Sequence, residues 1–324
     1  MRRRHPRCRI LALSFALFAS TAAFAASADD GSDLAAAEDR GVREGAGALL
    51  RLQVLLDRAR FSPGEIDALA GSNQARALRG YQAAHGLPVT GTPDAATWDA
   101  LERDAAPVLA DYTLTAADLA GPFVDLPEDA MDKAKLEALG HASLAEALGE
   151  RFHASPALLH RLNPGLDAAS AAQVLKVPAV ADASAAGKVA RVVVDRSDSV
   201  LRLVDGEGRT LAQYPASTGS ERDPLPIGDW KIVTVVEDPA FHYNPALFWD
   251  ADPAHAKATL APGPNNPVGT VWIDLSKPHY GIHGTPEPAT VGKQQSHGCI
   301  RLTNWDARAV AAAVDPSVPV TLQD

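Results

Sequence analysis

Apolar residues recur at helical spacing in the first part of the chain. In "ALLRLQVLLDRARF", which begins at residue 48, leucines at 49, 52, 55 and 56 fall on one face of a helix. Two more helices are predicted over residues 73–85 and 94–101, joined by a glycine- and proline-containing turn. The side chains expected to form their common core are Ala77, Leu78, Tyr81, Leu87, Val89, Trp98 and Leu101. The pattern predicts a small three-helix module over residues 47–103.

Residues 104–187 have a mixed pattern. Two helical stretches in "HASLAEALGERFHASPALLHRLNPG" precede a short apolar strand at residues 174–177. The run "AVADASAAGK" that follows, residues 179–188, has the composition of a flexible linker. We therefore expect a connecting region with an α/β unit at about residues 140–180, ending at a domain boundary.

After the linker, apolar and polar residues alternate, which is the period of a half-buried strand. "KVARVVVDRSDSVLRLVDGEGRTLAQYPAS" predicts a hairpin with its turn at "DGEG", and "GDWKIVTVVE", "GTVWIDLS" and "HYGIHG" predict further strands. One helix is expected from residue 304 to about 314, with Thr303 as its cap and Asp306 completing a capping box. The fold class is α+β multidomain: a three-helix module, a mixed α/β middle and a mainly-β domain over residues 188–324, of sandwich or barrel type.

A proline-rich segment interrupts the strands between residues 239 and 266. It is long for a loop within a compact domain, and such segments are usually lids or binding loops. Tyr243, Phe248 and Trp249 lie within it and are candidate substrate contacts.

The N-terminus has the layout of a secretory signal peptide. Five arginines among the first nine residues precede an apolar run and then small residues, with cleavage expected after Ala25 or Ala28. We assign residues 1–28 to the signal and 29–46 to a flexible leader, and expect a periplasmic protein with no membrane span after cleavage. Removing the arginines lowers the formal net charge from −10 to −15. So acidic a surface argues against a nucleic-acid partner.

Cysteine usage points to a reactive thiol. Cys8 lies inside the predicted signal, so the mature chain would keep Cys299 alone. In an oxidising compartment, an unpaired cysteine forms an intermolecular link or acts chemically. Cys299 lies in "SHGCIRL", directly after a histidine and a glycine. A chemical role is therefore favoured over a small buried hydrophobic one.

A nucleophilic cysteine needs a base, and two histidines are close in sequence. His283 ends the strand "YGIHG", from which its imidazole could be aimed at the sulfur, whereas His297 on the same segment would run parallel to Cys299. His283 is thus the expected base and His297 a wall. The carbonyl of Gly284 could hold the other ring nitrogen, and the N–H groups of Gly298 and Cys299, with or without that of His297, could form an oxyanion hole.

A zinc hydrolase is a second hypothesis, because His279, His283, His297 and Cys299 are ligand types that zinc accepts. Against it, His279 and His283 would lie about 13 Å apart if both were on one extended strand. The helical His-Glu-x-x-His arrangement is also missing from the sequence.

The pair of motifs "IHGTPEP" and "SHGCIRL" resembles the signature of the L,D-transpeptidase family, and the likeness extends over residues 188–323. The resemblance implies a cysteine enzyme that attacks the L,D bond before the terminal D-alanine of a peptidoglycan stem tetrapeptide. The resulting thioester passes to an amine of another stem or of an envelope protein. Transfer to water, as in an L,D-carboxypeptidase, and release of a wall-linked protein remain alternatives. The resemblance implies no metal and no organic cofactor.

By position in these motifs, Cys299 corresponds to the nucleophile and His283 to the general base. The loop that shapes the oxyanion hole corresponds to Ser296, His297 and Gly298, and Arg301 falls where the family carries a polar residue near the site. Arg301 could bind a substrate carboxylate or form a structural pair.

The N-terminal part carries two further resemblances. "LRGYQAAHGLPVTGTPDAATWDAL" resembles a helical peptidoglycan-binding module, and "LNPG…VLKVP" resembles a LysM-type glycan-binding unit without its usual glycine. Peptidoglycan is thus the expected partner. A non-catalytic wall-binding protein is a third hypothesis, with these regions as its purpose.

Overall fold

A computed structural model describes residues 32–180 and 187–324. The predicted signal peptide and most of the predicted linker lie outside the described residues. Within the described ranges, no helix combines the length and the apolar character needed to cross a membrane.

The first half of the described chain is mainly helical. In chain order its helices and strands are α1 (Ser32–Ala35), α2 (Gly45–Arg58), α3 (Ser72–Ala84), α4 (Ala95–Leu101), β1 (Leu109–Thr113), α5 (Ala116–Ala120), α6 (Ala130–Lys133), α7 (Leu144–Phe152), α8 (Pro156–Leu162) and β2 (Val174–Pro178). The three predicted helices are confirmed as α2, α3 and α4. Asp94 caps α4 by accepting a hydrogen bond from the Thr97 N–H.

One hydrophobic core joins α2, α3 and α4 to the region that follows them. It includes Leu50 and Tyr81 from the helices and Leu148 and Val177 from the middle of the chain. The predicted core residues Ala77, Leu78, Trp98 and Leu101 are also buried there, and Leu87 packs at its edge. The prediction for Val89 is wrong: its side chain is 55% exposed, because it lies in the turn between α3 and α4 and not on a helix face.

The predicted flexible leader is wrong for its described part. From Ser32 the chain forms α1 and a single 3₁₀ turn, and Leu34 and Ala37 are fully buried in the same core. The buried Arg51 side chain donates to the Ala37 carbonyl oxygen at 2.9 Å. Buried apolar side chains and charge-assisted hydrogen bonds, among them that of Arg51, therefore hold a segment whose small, polar composition alone predicted a flexible leader.

The middle region contains a strand that the sequence did not reveal. β1 and β2 pair antiparallel over their full lengths, from Leu109 opposite Pro178 to Thr113 opposite Val174. The first strand of the α/β unit thus lies about thirty residues before the predicted start at 140, with α5 to α8 between the two strands. Its polar residues and lack of clear alternation hid it from a period-2 reading.

The second half of the chain is mainly β, as predicted, and contains one large sheet and one small two-stranded sheet. Its elements are β3 (Arg191–Asp195), β4 (Val200–Val204), β5 (Thr210–Pro215), β6 (Gly228–Glu237), β7 (Phe241–Tyr243), β8 (Ala258–Leu260), β9 (Val271–Leu275), β10 (Gly281–His283), β11 (Ile300–Arg301), α9 (Asn304–Ala313) and β12 (Pro319–Gln323). The eight-stranded sheet has the order β11-β10-β9-β6-β12-β3-β4-β5. Strands β10 and β11 are parallel, as are β3 and β12, and the other pairs are antiparallel.

Helix α9 follows the last motif directly and packs on β9 and β10. Its predicted cap is half present. Thr303 accepts from the Asp306 N–H at 3.1 Å, but the Asp306 carboxylate does not return the bond. It accepts from the Ser62 hydroxyl at 3.0 Å instead, because the N-terminal module is docked against this end of the helix.

The N-terminal module extends the edge of the large sheet. Residues after α2 pair with β5 through Ser62 N–H donating to the Gln213 carbonyl and Gln213 N–H donating to the Arg60 carbonyl. On the other side of the contact, Asn73 of α3 donates to the Val291 carbonyl at 2.8 Å. The module therefore shields an edge strand that would otherwise expose unpaired backbone groups.

The proline-rich segment 239–266 is partly ordered as a hairpin of β7 and β8. Tyr243 and Leu260 from this hairpin pack against Leu139 of the middle region, in a small core of their own. Backbone bonds from Leu139 N–H to the Pro262 carbonyl and from Asn265 N–H to the Leu139 carbonyl close the contact. The segment is thus held by residues that lie a hundred positions earlier in the chain.

Candidate active site

The two central predicted residues come from adjacent parallel strands at one edge of the sheet. Ile282 pairs with Ile300, and His283 pairs with Arg301. Cys299 immediately precedes β11 and lies beside Gly281, whose N–H is directed at the sulfur. Since paired residues of neighbouring strands point to the same face, the side chains of His283 and Arg301 share one face of the sheet, and Cys299 lies two residues before Arg301.

Cys299 is partly exposed, and its thiol donates a weak hydrogen bond to the His279 carbonyl oxygen at 3.7 Å. Burial raises the pKa of this thiol, while the Gly281 N–H and the charge of Arg301 act in the opposite direction. The resting cysteine is therefore a neutral thiol, and ionisation has to be assisted when it reacts.

His283 is 6% exposed. The hydrogen bond expected from the sequence is present: its Nδ1 lies 2.6 Å from the Gly284 carbonyl oxygen. The ring stacks on Trp272 at a centroid distance of 5.6 Å. Burial lowers the pKa of His283 to about 4, the bond to Gly284 opposes the shift, and Arg301 adds to it. Because Nδ1–H is committed to a carbonyl, Nε2 carries the lone pair of the neutral ring.

The loop before the cysteine is organised by Ser296. Its hydroxyl accepts from the Gly298 N–H at 3.2 Å and donates to the Cys299 carbonyl oxygen at 2.5 Å. Gly298 has a φ of 107°, and a Cβ there would lie 2.9 Å from the Tyr280 ring. Only glycine fits this turn, on both counts.

One expected oxyanion donor is therefore already used. The Gly298 N–H was predicted to face an oxyanion, but it is directed into the turn, to Ser296. The short polar side chain at position 296 competes for the donor, as serine hydroxyls commonly do with nearby backbone N–H groups.

His297 faces the proline-rich segment. Its Nε2 lies 2.9 Å from a carboxylate oxygen of Asp250, and its ring contacts Phe248 and Trp249 at centroid distances of 5.3 and 5.8 Å. The imidazole thus lies between the loop that contains Cys299 and the proline-rich segment.

Of the candidate lid contacts, Tyr243 is buried and Trp249 is exposed. Tyr243 is 9% exposed, stacks on Phe248 and hydrogen-bonds His255, so it belongs to the small core of the hairpin. It is not placed to meet a substrate. Trp249 is 55% exposed and lies under the Arg222 guanidinium at 4.3 Å.

Arg301 is anchored through its backbone, which exchanges two 2.9 Å hydrogen bonds with Ser217 on the side away from His283. Burial lowers the pKa of its guanidinium, and the carboxylate of Glu287 and the thiol of Cys299 oppose that shift. The charge therefore stays close to both Cys299 and His283.

The structure removes one of the two sequence arguments against a zinc site. His279 is not on strand β10: it has a φ of 69° and lies in the turn before it, so the separation expected from an extended strand does not apply. Its carbonyl, not its ring, contacts the sulfur. Among the described residues, no three histidine, cysteine, aspartate or glutamate side chains are grouped to hold a metal ion.

Three site residues were missed at the sequence level. Trp272 of β9 lies opposite His283 of β10. The alternation of apolar and polar residues along the two strands could have suggested this pairing. Tyr280 packs on Gly298, and it could have been predicted as a site residue because it directly precedes "GIHG" in the sequence. Asp250 pairs with His297 across forty-seven residues, and no local pattern predicts such a contact.

Comparison with protein families matches two parts of the chain. A model described as the YkuD L,D-transpeptidase catalytic domain matches residues 189–322. A model of a peptidoglycan binding domain matches residues 46–101.

Individual proteins and solved structures are similar to part of the chain. The chain is 30% identical over 172 residues to a protein of Bacillus subtilis strain 168 named L,D-transpeptidase YkuD, covering 53% of this chain and 88% of that protein. A Bacillus licheniformis protein of the same name is 29% identical over 179 residues, covering 55% and 92%. Among solved structures, L,D-transpeptidase 3 from Mycobacterium tuberculosis with a faropenem-derived adduct has a TM-score of 0.34 at 19% identity, covering 48% of this chain and 75% of that chain.

Proposed function

The chain belongs to the L,D-transpeptidase family of peptidoglycan cross-linking acyltransferases, and from this we propose that Cys299 is its nucleophile and His283 its general base. The observation that carries the proposal is the position of both residues at one edge of the sheet. His283 pairs with Arg301 in the parallel register of β10 and β11, and Cys299 lies two residues before Arg301, with the Gly281 N–H directed at its sulfur. A strand position holds His283 more rigidly than a free loop would.

The resting pair is neutral in this proposal. Burial raises the pKa of the thiol and lowers that of the imidazole to about 4, so both shifts favour the neutral thiol and the neutral imidazole over the thiolate–imidazolium form. Proton transfer from Sγ to Nε2 therefore accompanies attack on the substrate and does not precede it. The hydrogen bond to Gly284 keeps Nε2 free to accept that proton.

The first half-reaction cleaves the L,D bond before the terminal D-alanine of a stem tetrapeptide. Sγ attacks the carbonyl carbon, His283 takes the thiol proton, and the oxyanion is stabilised by the Cys299 N–H. When the tetrahedral intermediate collapses, the C–N bond breaks and His283 gives the proton to the departing amine, leaving a thioester on Cys299. Losing one oxyanion donor typically costs about 10²–10³ in rate.

In the second half-reaction an amine of another stem, or of an envelope protein, attacks the thioester. His283 accepts the proton of this amine and returns it to the departing sulfur. Ser296 and Gly298 shape the loop around the thioester, His297 forms its outer wall, and Arg301 supplies positive charge behind it. Phe248 and Trp249, on the segment next to His297, would meet the acceptor.

The helical module over residues 46–101, which matches a peptidoglycan binding domain, would keep the enzyme on its substrate. We extend this role to the LysM-like middle region as a glycan contact. We also propose that residues 1–28 are a cleaved signal and that the enzyme works in the periplasm. N-terminal sequencing of the mature protein, starting after Ala25 or Ala28, tests this assignment.

Incubation with a disaccharide-tetrapeptide, with products resolved by mass, tests the proposed reaction. We expect a cross-linked dimer and released D-alanine. Cys299→Ala should give neither product, and His160→Ala, a histidine control on α8 outside the site, should keep the chemistry. Tripeptide alone would identify water as the acceptor and an L,D-carboxypeptidase, and unchanged turnover by Cys299→Ala would contradict the cysteine mechanism.

A β-lactam of the carbapenem type gives an independent readout. We expect the intact protein to gain the mass of one inhibitor molecule, on the peptide that contains Cys299. An adduct on another residue would contradict the assignment, and full activity in the presence of a strong chelator would argue against the zinc alternative.

A further inference from the structure

The side-chain amide of Asn304, the first residue of α9, fills a slot between two glycines. A Cβ on Gly284 would lie 2.2 Å from Asn304 Oδ1, and one on Gly269 would lie 2.0 Å from the same atom. No side chain larger than hydrogen fits at either position while Asn304 is there. The amide is thus in direct contact with the residue whose carbonyl holds His283.

Every polar atom of this amide is engaged. Oδ1 accepts from the Thr270 N–H at 3.2 Å, and Nδ2 donates to the Pro264 carbonyl at 3.1 Å and to a carboxyl oxygen of Glu150 at 2.8 Å. Asn304 is fully buried. Its orientation is fixed, because exchanging the oxygen and the nitrogen would turn donors toward the Thr270 donor and the oxygen toward two acceptors.

The residues just before α9 also contact His283 directly. The Leu302 N–H donates to the His283 carbonyl oxygen at 2.8 Å, and two residues later Asn304 supports the turns at Gly269 and Gly284. The position of the His283 ring therefore depends on where the start of α9 lies. Supporting groups of this kind typically change activity by about 10–100-fold when they are removed.

Glu150 comes from outside the catalytic domain. It lies on α7 of the middle region, before the part of the chain that matches the catalytic family model at residues 189–322. Its second carboxyl oxygen is buried and has no hydrogen-bond partner among the described residues. Leaving a buried polar atom unpaired costs free energy, so this carboxyl is placed at an energetic cost that its bond to Asn304 helps to offset.

We propose that Asn304 is a positioning residue for His283 and that Glu150, supplied by the middle region, orients the Asn304 amide. The inference rests on the proposed role of His283 as base. It gives the middle region a part in catalysis besides any contact with glycan. When α7 is docked, the Asn304 amide is fixed and the Gly284 carbonyl holds the Nδ1–H of His283. Nε2 of His283 is then free to accept the thiol proton.

Four variants in the full chain test this proposal: Asn304→Ala, Asn304→Asp, Glu150→Ala and Glu150→Gln. Asn304→Ala should lower kcat by about 10–100-fold with KM nearly unchanged, and should weaken the Nδ1–H imidazole signal of His283 in ¹⁵N spectra. Asn304→Asp should behave similarly, because it turns an acceptor toward Glu150 and Pro264. Glu150→Ala should lower kcat several-fold, whereas Glu150→Gln keeps the acceptor oxygen and should restore kcat and the imidazole signal.

A folded Asn304→Ala with the kcat and the imidazole signal of the wild type would overturn the proposal, as would equal activity of Glu150→Ala and Glu150→Gln. If Asn304→Ala does not fold, the two Glu150 variants decide. His283→Ala, assayed alongside, separates the two levels of the argument. Its retained activity would refute the base, whereas an inactive His283→Ala beside fully active Asn304 and Glu150 variants would refute the positioning role alone.

Discussion

Two histidines of this protein, the buried His283 and the partly buried His153, make similar ring contacts but have opposite pKa shifts. His283 stacks on Trp272 at 5.6 Å with an interplanar angle of 19°, and His153 stacks on Trp305 at 5.3 Å with an angle of 10°. Burial alone lowers the pKa of both rings, since it disfavours the charged form. Yet the pKa of His283 falls to about 4, whereas that of His153 rises above its ordinary value.

The partner of Nδ1 explains the difference. In His153 this nitrogen lies 2.9 Å from a carboxylate oxygen of Asp57. Desolvation is the largest single influence on its pKa, but the charge and hydrogen bond of Asp57 and the charges of Asp306 and Glu150 together outweigh it. In His283 the corresponding partner is the neutral carbonyl of Gly284, and the nearest charge that acts on the ring is that of Arg301. The charges around His153 favour its protonated form, whereas desolvation beside a neutral carbonyl favours the neutral form of His283.

The two sites also differ in what surrounds them. His153 joins α2 and α7 to α9, where burial and the charge of Asp57 raise the pKa of Asp306 to about 7. Within residues 32–180 and 187–324, no carboxylate shifts the pKa of His283. Charge pairing thus sets the pKa of His153, and desolvation sets that of His283.

The largest expected effect separates the two histidines by function. His283→Ala should lower kcat/KM near neutral pH by about 10³-fold, because the thiol loses its base. His153→Ala, the matched control, should keep kcat within a few-fold and lower the thermal midpoint. Kinetics and thermal melts of both variants measure this contrast, and substantial activity of His283→Ala would contradict the assignment.

Asp57→Asn should make His153 resemble His283. Without the carboxylate, the pKa of His153 should fall below its ordinary value, and the protein should lose about 3 kcal/mol of stability near neutral pH because a buried pair is broken. Imidazole NMR titration and urea unfolding test this. A His153 pKa that stays raised in the variant would show that carboxyls other than Asp57 hold the charge.

Asp306→Asn should change the pH dependence of stability. The pKa of Asp306 is raised to about 7 in the fold, with Asp57, His153 and Ser62 beside it. Between about pH 4 and 7 the unfolded chain loses this proton first, so the wild type loses stability as pH rises. The variant should be more stable than the wild type by up to about 4 kcal/mol at pH 8, and equal to it near pH 4. Parallel melting curves at the two pH values would contradict this.

The smallest effect is expected at the third histidine. The His297–Asp250 pair is partly exposed, and exposed pairs typically contribute less than about 1 kcal/mol. Asp250→Asn should therefore leave the thermal midpoint almost unchanged and weaken only the contact between the loop and the proline-rich segment. A loss of stability as large as that of Asp57→Asn would remove the distinction between buried and exposed pairs.

Local patterns predicted the elements whose apolar period is strong. The leucine spacing of α2 and the Val-, Ile- and Trp-rich composition of β6, whose bounds Gly228–Glu237 coincide with the predicted segment, each gave the correct element. The motif around Cys299 likewise identified the family. In these stretches the local propensity agrees with the fold, so the local sequence carries the information.

Long-range contacts could not be predicted in this way. Helix α1 is held by a core built from residues up to position 177, and strand β1 is defined by its pairing with β2. The Asp57–His153 pair and the Glu150–Asn304 bond each join residues about a hundred positions or more apart. Such contacts depend on how the two halves of the chain pack, which no window of sequence records.

The pH dependence of kcat/KM for acylation of Cys299 tests the central claim most directly. A neutral thiol assisted by a neutral imidazole whose pKa is lowered to about 4 predicts a rate that is flat from about pH 5 to 8 and falls only as His283 becomes protonated near pH 4. An acid limb near the ordinary histidine pKa of about 6.5, or a rate that rises tenfold per pH unit without a plateau, would contradict it.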